Sequence, residues 1–520
     1  MKQIETSTFS FPDIIENDFL YVDKTSFVWK LVSKKKGEYF LSRPRRFGKS
    51  LLVSTLKALF QGRRGLFRGL AIDKEDYGWE EHPVIHLDFG DAGVDTAKEL
   101  HEYLVSLLQC AASENDIQLR GKDVAIQFKN LIRDLAERSG RQVVVLVDEY
   151  DKPILSNVGT PKADGILKKL KRFYGVIKTN ESFIRFAFIT GVSKFAHVSL
   201  FSDLNNLTDI TLDPNYAEML GFTEAEIREC FADRIPLAAK ANGMPEEELM
   251  RTLLKWYDGY RFSRADTHVC NPVSVSTFFA SDYEFSNYWD ATGTPWFLVK
   301  LAREMDYDYE AAIDNWYDES VFGAYELDHL DVTGLLWQTG YLTIKDVQTD
   351  EDGTQYRLDF PDKEVQATFS RRLIESFAGD VNRKQVWSLV MQFRKEIRQD
   401  DLKAFMTLFQ SFLAGISYDL HLPYEKYYQT VFYIVFRLLG ASIAAESKTN
   451  EGRIDAYIRT QRTVYLFEFK LDKSAETALG QIADHHYYEK FQSCGLPIVM
   501  VGVNFDSEKG RIDDWAAKQL

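Results

Sequence analysis

A Gly-Lys-Ser triplet at residues 48–50 has the residue types and the setting that phosphate binding requires. It follows a short apolar run, Tyr39 to Leu41, and opens a stretch whose apolar residues recur at helical spacing as far as Phe60. A strand, a loop and a helix in this order aim the free N–H groups of the first helical turn at a phosphate. Lys49 would then reach the β- and γ-phosphates of a nucleotide, and Ser50 would give its hydroxyl to Mg²⁺.

The loop departs from the usual pattern G-x-x-x-x-G-K-[ST], because Arg43 stands where the first glycine is expected and Pro44 stiffens the next position. The alternative to a nucleotide site is a basic loop that caps a helix. The nucleotide interpretation predicts that binding involves the whole loop, comprising Arg43, Pro44, Arg45, Arg46, Phe47, Gly48, Lys49, Ser50 and Leu51.

An acidic pair, Asp148-Glu149, follows the continuous apolar run Val143 to Val147 about 100 residues after the triplet. Such a run is typical of a strand buried on both faces of a parallel sheet. Asp148 would hold Mg²⁺ through water, and Glu149 would polarise the attacking water. The two motifs together predict an NTP site with ATP and Mg²⁺ as cofactors.

Further elements complete the predicted ATPase sheet. The strand 183–189 is expected between the strands that carry the two motifs, so Thr190 or Ser193 at its end is a candidate sensor of the γ-phosphate. A last strand near 207–212 would make five. The segment around Tyr21 to Thr25 lies beside the base of the nucleotide in one interpretation and is a structural helix in the other.

Four segments in this order, YVDKT, RPRRFGKS, VVLVDEYDKP and ITGVSKFAHVSLFSDLNNLTDITL, resemble the AAA-ATPase-like family of bacterial proteins over roughly residues 5–300. The missing first glycine is normal in that family, where RPRRFGK[ST] recurs. The resemblance implies ATP binding more firmly than it implies any cellular role.

A second set of charged residues lies near the C-terminus. Side chains alternate along a strand, so Glu468 and Lys470 face the same way while Phe469 faces the core. Asp455, on the partner strand of a hairpin, can meet Glu468 across the ladder. Two carboxylates would hold Mg²⁺, and Lys470 would orient water or stabilise charge on phosphorus. Acidic pairs of this kind also occur by chance on exposed strands.

The order of the surrounding elements strengthens the nuclease interpretation. The segment from about 415 to 510 resembles the PD-(D/E)xK nuclease fold. Its elements in order are a helix with Glu425, a strand with Asp455, a strand with Glu468-Phe469-Lys470, a helix with Gln481 and a closing strand 497–505. The resemblance implies that Glu425 completes the acidic cluster at the metal and that Gln481 positions water or substrate. His485 and His486, being adjacent on a helix, are expected on different faces without a shared metal.

The middle region gives weaker signals. Residues 216–262 read as helices, and Thr223 with Glu226 fits a capping box. Residues 330–344 read as a helix, a turn at Gly340 and a strand, as in a winged helix. This element is expected to be a structural part or lid rather than a DNA reader, because it is acidic.

The expected fold class is therefore α/β. It comprises an AAA-like P-loop ATPase sheet domain at 1–215, a helical and winged-helix-like region at 216–350, a helical linker at 351–414, and an α/β PD-(D/E)xK nuclease-like domain at 415–520.

Composition narrows the class of protein. The formal charge of −15 over 520 residues argues against a generally basic nucleic-acid coat, although a local basic cleft stays open. Four scattered cysteines indicate a reducing compartment with free thiols. No apolar run is long enough for a membrane span. A cytoplasmic protein, with DNA as a partner and the option of a homo-oligomer, is expected.

Two functions from different classes remain open at this point. The first is an ATP-regulated, Mg²⁺-dependent deoxyribonuclease. The second is an ATP-dependent, STAND-like switch whose C-terminal domain holds nucleic acid or a protein partner without cutting. A cluster of Lys34–Lys36 with Arg43, Arg45 and Arg46 is a candidate DNA track, and Arg45, Arg46 and Arg185 are undistinguished candidates for an arginine finger.

Overall fold

The chain forms two compact units. The structure, a computed structural model, describes residues 1–158, 160–194, 207–289, 313, 315–323, 331–351, 353–382, 392–393, 395–397, 399–414, 442–449, 452–492 and 494–520. Unit 1 comprises Met1–Thr292 with Trp316–Glu364, and unit 2 comprises Gly293–Asn315 with Val365–Leu520.

A parallel five-stranded sheet is the centre of unit 1. Its strands are β1 (Gly37–Ser42), β2 (Val84–Asp88), β3 (Val143–Asp148), β4 (Ile184–Gly191) and β5 (Thr208–Asp209). Their spatial order is β2-β3-β4-β1-β5, with β4 between the two motif-bearing strands as predicted. The predicted fifth strand forms as two residues beside β1. All six residues of β1 and all six of β3 are buried, because helices cover both faces of the sheet.

Helices of unit 1 cover this sheet with amphipathic faces. Leu100, Leu104 and Leu108, for example, place one apolar stripe of a helix against the core at a spacing of four residues. The helices are α1 (Phe11–Glu16), α2 (Thr25–Val32), α3 (Lys49–Phe60), α4 (Ala97–Glu114), α5 (Val124–Ser139), α6 (Lys152–Leu155) and α7 (Ala163–Thr179).

The middle region is helical before it becomes a hairpin. It contains α8 (Glu224–Cys230), α9 (Ile235–Asn242), α10 (Glu246–Tyr257), α11 (Pro272–Ala280), β6 (Trp316–Tyr317), α12 (Val332–Thr339), β7 (Thr343–Asp350) and β8 (Gly353–Asp359). The predicted capping box of Thr223 and Glu226 is confirmed at the start of α8. The predicted helix, turn and strand are also confirmed, with Gly340 in the left-handed region at φ +88° between α12 and β7.

Residues 43–48 form the loop between β1 and α3 that the sequence predicts to bind phosphate, here called the phosphate-binding loop. Its side chains pack against the middle region. The ring of Phe47 makes edge contacts with those of Tyr260, at 4.7 Å between centroids, and Phe262, at 5.3 Å. Gly340 meets the ring of Pro44 so closely that an added Cβ would lie 2.6 Å from the Pro44 Cβ. The loop is therefore held by packing from outside the sheet.

A second five-stranded sheet organises unit 2, in the order β13-β12-β11-β10-β9. The elements of this part of the chain are α13 (Lys363–Asn382), α14 (Leu402–Ala414), β9 (Ser442–Thr449), β10 (Gly452–Arg459), β11 (Val464–Leu471), α15 (Ala475–Asp484), α16 (Glu489–Gln492), β12 (Ile498–Asp506) and β13 (Arg511–Gln519). β11 and β12 are parallel, and α15 crosses between them.

The prediction that the strand 497–505 closes this sheet is wrong. β13 follows β12 through a tight turn and pairs with it in antiparallel fashion. Most residues of β13 are exposed or half-buried, so the strand lacks the continuous apolar run that marks β11 and β12 in the sequence.

In the described part of the chain, no helix is long and apolar enough to cross a membrane. The four cysteines are free thiols, as predicted; Cys270 is buried, and Cys110 is exposed.

Gly340→Ala is expected to destabilise unit 1 by about 2 to 4 kcal/mol, because it adds left-handed backbone strain and a clash with Pro44. Chemical denaturation followed by tryptophan fluorescence measures the loss. The matched control is Gly243→Ala, at a left-handed helix end with φ +64° where an added Cβ meets nothing within 4 Å. The control should lose about 1 kcal/mol. Equal losses in the two variants would show that the contact with Pro44 does not constrain the loop.

Candidate nucleotide and phosphodiester sites

A cavity of about 1050 Å³ opens beside the phosphate-binding loop in unit 1. Residues Arg45 to Leu51 form its floor, and Asp88, Glu149 and Lys152 lie at the strand-end side. The lining also includes apolar and aromatic side chains, namely Leu20, Tyr21, Val22, Met219, Leu220, Phe222 and Phe231. Polar and apolar groups in one cavity suit a nucleotide, whose phosphates are charged and whose base is not.

The N-terminal segment of unit 1 also lines this cavity. Residues 4–9 run along its rim, and Phe9 there is largely exposed. Two hydrogen bonds fix the segment at its ends, from Leu20 N to Gln3 O at 2.8 Å and from Phe11 N to Ser54 Oγ at 3.0 Å. Tyr21 lines the cavity, in keeping with one interpretation of its segment, and Thr25 begins a helix, in keeping with the other.

Lys49 is buried at the start of α3. Its Nζ donates to the carbonyl oxygens of Arg43 at 3.0 Å and Pro44 at 2.9 Å. Burial lowers the pKa of Lys49, while the nearby carboxylates of Glu149 and Asp148 act in the opposite direction. Gly48 before it adopts φ +86°, a conformation that a residue without Cβ reaches at little cost.

Ser50 and Asp148 lie close together at the carboxyl edge of the sheet, near enough for the Ser50 hydroxyl to lower the pKa of the Asp148 carboxyl. Burial raises the pKa of the Asp148 carboxyl to about 6, against the effects of Ser50 and Lys49. A hydroxyl and a carboxylate side by side supply hard oxygen donors of the kind Mg²⁺ prefers. The two residues predicted to hold the metal are thus brought together.

Glu149 follows Asp148 with a left-handed backbone at φ +50°. Its side chain lies on the cavity wall, about one-third exposed, with its Oε2 atom 3.6 Å from the Nζ of Lys152. A non-glycine residue in this region of backbone space is sparsely populated and is frequent at functional sites.

Two members of the predicted nucleotide set direct their side chains elsewhere. Arg43 is 1% exposed, and its guanidinium donates to the carbonyls of Ser42 at 2.9 Å and Thr211 at 2.7 Å. Its Cζ atom lies 4.2 Å from the centroid of the Phe262 ring. Burial lowers the pKa of Arg43 to about 9. The side chains of Arg43 and Pro44 therefore stabilise the loop, and only the backbone of these two residues remains available to a ligand.

Thr190 does not face the cavity. Its buried hydroxyl donates to the carbonyl oxygen of Leu41 at 2.8 Å, inside the sheet. The sensor role predicted for Thr190 is not supported, because the hydroxyl already has a partner between β4 and β1. Ser193 donates instead to Asp151 at 2.7 Å.

The basic cluster predicted as a DNA track is not continuous. Lys34–Lys36 precede β1 and Arg45 follows it, so the six-residue strand separates them by about 20 Å. Lys36 is paired with Glu181 at 2.5 Å. Arg185 lies at the amino end of β4, where it donates to Val32 O, and this position argues against an arginine finger acting within the same chain.

In unit 2, the predicted Asp455, Glu468 and Lys470 come together. Pairing of β10 with β11 ends at Ala456 opposite Phe467, which leaves Asp455 and Glu468 at the next position of each strand. Asp455 Oδ2 accepts the N–H of Phe469 at 2.7 Å, and Lys470 Nζ donates to Glu468 Oε1 at 3.0 Å. The Glu468 and Lys470 side chains are only 1% and 9% exposed.

The remaining residues predicted for this site have different outcomes. Glu425 lies outside the described residues. Gln481 sits on α15, whose neighbouring residues Ala478 and Ile482 are buried, and the described structure gives its side chain no hydrogen bond to Asp455, Glu468 or Lys470. His485 and His486 are exposed, and His486 Nδ1 lies 2.9 Å from the Tyr488 hydroxyl.

Among the described residues, no group of three His, Cys, Asp or Glu side chains is arranged to hold a metal ion. Two pairs of residues offer the oxygen ligands that Mg²⁺ prefers: Ser50 with Asp148, and Asp455 with Glu468. Each pair would need phosphate or water oxygens to complete six ligands.

Sequence reasoning missed several residues at or near the cavity. Asp151 does not line the cavity, but it follows Glu149 by two residues inside the VDEYDKP motif and was open to recognition as a third acid. Residues 4–9 and the wall from Met219 to Phe222 carry no local signal, because they reach the cavity only through the fold.

Comparisons with known proteins agree with the two-part organisation. A family model described as "Predicted AAA-ATPase" matches residues 6–201, and one described as "PD-(D/E)XK nuclease superfamily" matches residues 423–515. These matches confirm the predicted fusion.

The chain is similar over nearly its whole length to the "Uncharacterized protein in vnfD 5'region" of Azotobacter chroococcum mcd 1. The two are 36% identical over 513 residues, which cover 97% of this chain and 96% of that protein. Among solved structures, the Aeropyrum pernix ORC2 protein (ADPNP-ADP complexes) aligns with 67% of this chain and 92% of its own at 11% identity. Its TM-score of 0.27 is too low to carry an argument.

Lys470→Met is expected to destabilise unit 2 by about 3 kcal/mol or more, because it leaves the buried Glu468 carboxylate without its cation. The double variant Glu468→Gln/Lys470→Met should recover most of that loss, since no charge remains buried. Denaturant unfolding in EDTA measures both. Lys509→Met, which breaks an exposed pair with Asp506, is the control and should cause no measurable change. A double variant as unstable as the single would show that the ion pair is not what the buried site depends on.

Proposed function

We propose that this chain, which belongs to the family of the Azotobacter protein, hydrolyses ATP in unit 1 and cleaves DNA phosphodiesters with Mg²⁺ in unit 2. The proposal is supported by the matches to an AAA-ATPase-like domain and to a PD-(D/E)XK nuclease superfamily domain. The observation that carries the proposal is the pair of preformed acidic sites. Each combines a P-loop or ExK motif with the carboxylate that its chemistry needs.

In unit 1 the chain's own residues position the triphosphate. The N-terminus of α3 and Lys49 face the phosphates, so binding requires the Lys49 ammonium to exchange the Arg43 and Pro44 carbonyls for phosphate oxygens. Bound Mg²⁺ would neutralise charge on the β- and γ-phosphates, with Ser50 and Asp148 as its protein donors. Glu149 lines the cavity and would orient and deprotonate the attacking water.

The apolar side chains that line the cavity favour a nucleobase. Tyr21, Val22 and Phe222 offer apolar contacts, and the rim segment 4–9 supplies backbone N–H and C=O groups that can read the edge of the base. ATP is the nucleotide that the family match supports.

In unit 2 the chain supplies two carboxylates and an ammonium at the frayed end of the β10–β11 ladder. Mg²⁺ held by Asp455 and Glu468 would polarise the phosphodiester and lower the pKa of a bound water. Lys470 would stabilise the charge that builds on phosphorus, after giving up its hydrogen bond to Glu468.

One observation favours the alternative of an ATP-dependent switch. Glu468 and Lys470 are almost completely buried and closed on each other, so a substrate reaches them only after a rearrangement. A protein that holds DNA or a partner without cutting would keep this arrangement.

The ATPase proposal predicts different effects for two variants of the full chain. Lys49→Ala should abolish ATP binding, measured with a fluorescent nucleotide. Glu149→Gln should keep ATP binding within about threefold but lower hydrolysis by about 100-fold or more, because it removes the general base. Arg141→Gln, which breaks the exposed pair with Glu80, is the control and should hydrolyse ATP at the wild-type rate. Wild-type hydrolysis by Glu149→Gln would contradict the assigned role.

The nuclease proposal predicts Mg²⁺-dependent cutting of DNA. Linear, circular and branched DNA are incubated with the protein, with Mg²⁺ or EDTA and with or without ATP. Wild type should cut only with Mg²⁺, and Glu468→Gln should lose cutting by about 100-fold or more, because it removes a metal ligand. Glu508→Gln, at an exposed position, is the control. ATP binding without cutting in any condition would favour the switch.

A further inference from the structure

The turn after β3 places the candidate general base. Glu149 leaves the sheet with φ +50°, and its N–H donates back to Asp148 Oδ1 at 2.9 Å. A left-handed non-glycine residue costs about 1 kcal/mol or more and persists only where neighbouring contacts fix it. The contacts that fix this turn therefore decide where the Glu149 carboxylate lies.

Asp151 makes the strongest of these contacts. Its carboxylate is 1% exposed and accepts three donors from the end of β4 and the residues after it. The donors are Ser193 N at 2.7 Å, Ser193 Oγ at 2.7 Å and Val192 N at 3.2 Å, all to Oδ2. A carboxylate with converging N–H and O–H donors is a rigid link, because each bond restricts a different direction.

Gly191 makes this link possible. A Cβ at Gly191 would lie 2.4 Å from Asp151 Oδ1 and 2.6 Å from Tyr150 Cδ1, so any other residue would displace the turn. Two further bonds bind the turn to the same strand end, from Tyr150 N to Thr190 O at 3.1 Å and from the Tyr150 hydroxyl to Ser193 O at 3.0 Å.

A purely structural role explains this arrangement less well. Burial raises the pKa of Asp151 and makes its charge costly, and apolar residues fill buried sites of this size at lower cost. Unlike apolar packing, the hydrogen bonds of Asp151 fix the distance between the end of β4 and Glu149.

We propose that Asp151 is a positioning residue for ATP hydrolysis, which sets the Glu149 carboxylate in the cavity by locking the turn 149–151 to the end of β4. The inference rests on the proposed ATPase function of unit 1. A general base displaced by about 1 Å loses roughly 100-fold in rate while substrate binding is unaffected. Asp151 touches no reacting atom and acts only through Glu149.

The test uses single-turnover ATP hydrolysis and fluorescent-nucleotide binding with the full chain. Asp151→Ala should lower the hydrolysis rate by about 10- to 100-fold with the ATP Kd unchanged within about twofold. Asp151→Asn, whose amide oxygen still accepts the N–H donors, should retain more activity than Asp151→Ala. The double variant Glu149→Gln/Asp151→Ala should be no slower than Glu149→Gln alone, because a residue that acts through Glu149 has nothing left to position.

Ser193→Ala keeps the test decisive if Asp151→Ala does not fold. It removes one of the three donors and should lower the rate by a smaller factor, again with unchanged ATP Kd. Asp134→Asn, on α5 beside Arg120, is the control and should match wild type.

Three results overturn the proposal and are distinguishable. If Glu149→Gln is inactive but Ser193→Ala, and Asp151→Ala where it folds, hydrolyse ATP as wild type does, the positioning role is wrong and the ATPase function stands. Slowing of the double variant well below Glu149→Gln also rejects action through Glu149. If wild type does not hydrolyse ATP, or Glu149→Gln hydrolyses it normally, the proposed function fails and the positioning role fails with it.

Discussion

The packing of the phosphate-binding loop by its own side chains is the constraint on which unit 1 depends. Most P-loops obtain their shape from glycines, whereas this loop has Arg43, Pro44 and Phe47. Arg43 reaches the carbonyl of Thr211 beyond β5, Phe47 packs on Tyr260 and Phe262, and Pro44 lies against Gly340. The loop conformation is thus stabilised by contacts with three separate parts of the chain: the segment after β5, the segment between α10 and α11, and the turn between α12 and β7.

Both candidate sites use the regular geometry of strands to bring distant residues together. In unit 1, parallel strands end at one edge, which aligns Asp88 with Asp148 and sets Ser50 beside them. In unit 2, the antiparallel β10–β11 ladder ends one position before Asp455 and Glu468, so these two residues lie on neighbouring strands where the pairing stops. Each site lies at an end of regular pairing, where side chains and backbone groups are available for chemistry.

The features predicted from sequence were those with a local cause. The buried run Val143–Val147 fixes a central strand, and the alternation in Glu468-Phe469-Lys470 puts both charges on one face, as found. The position of β4 between the two motif-bearing strands was predicted from the P-loop arrangement and is also confirmed. Features set by long-range packing were not readable. Three such features depend on neighbours far away in the chain: the burial of the Arg43 side chain, the hydrogen bond from the Thr190 hydroxyl to Leu41, and the position of residues 4–9 at the cavity. β13 was not predicted, because an exposed edge strand shows no periodic pattern of apolar residues.

Two backbone carbonyl oxygens hold the Lys49 ammonium. In the proposed ATP site, a nucleotide would have to compete with these carbonyls for the ammonium. A ligand with a single negative charge would gain little from this exchange, whereas a di- or triphosphate offers several oxygens and more charge than two peptide dipoles. On the proposed function, the loop is therefore expected to favour anions with more charge and longer phosphate chains, independently of any contact with the base.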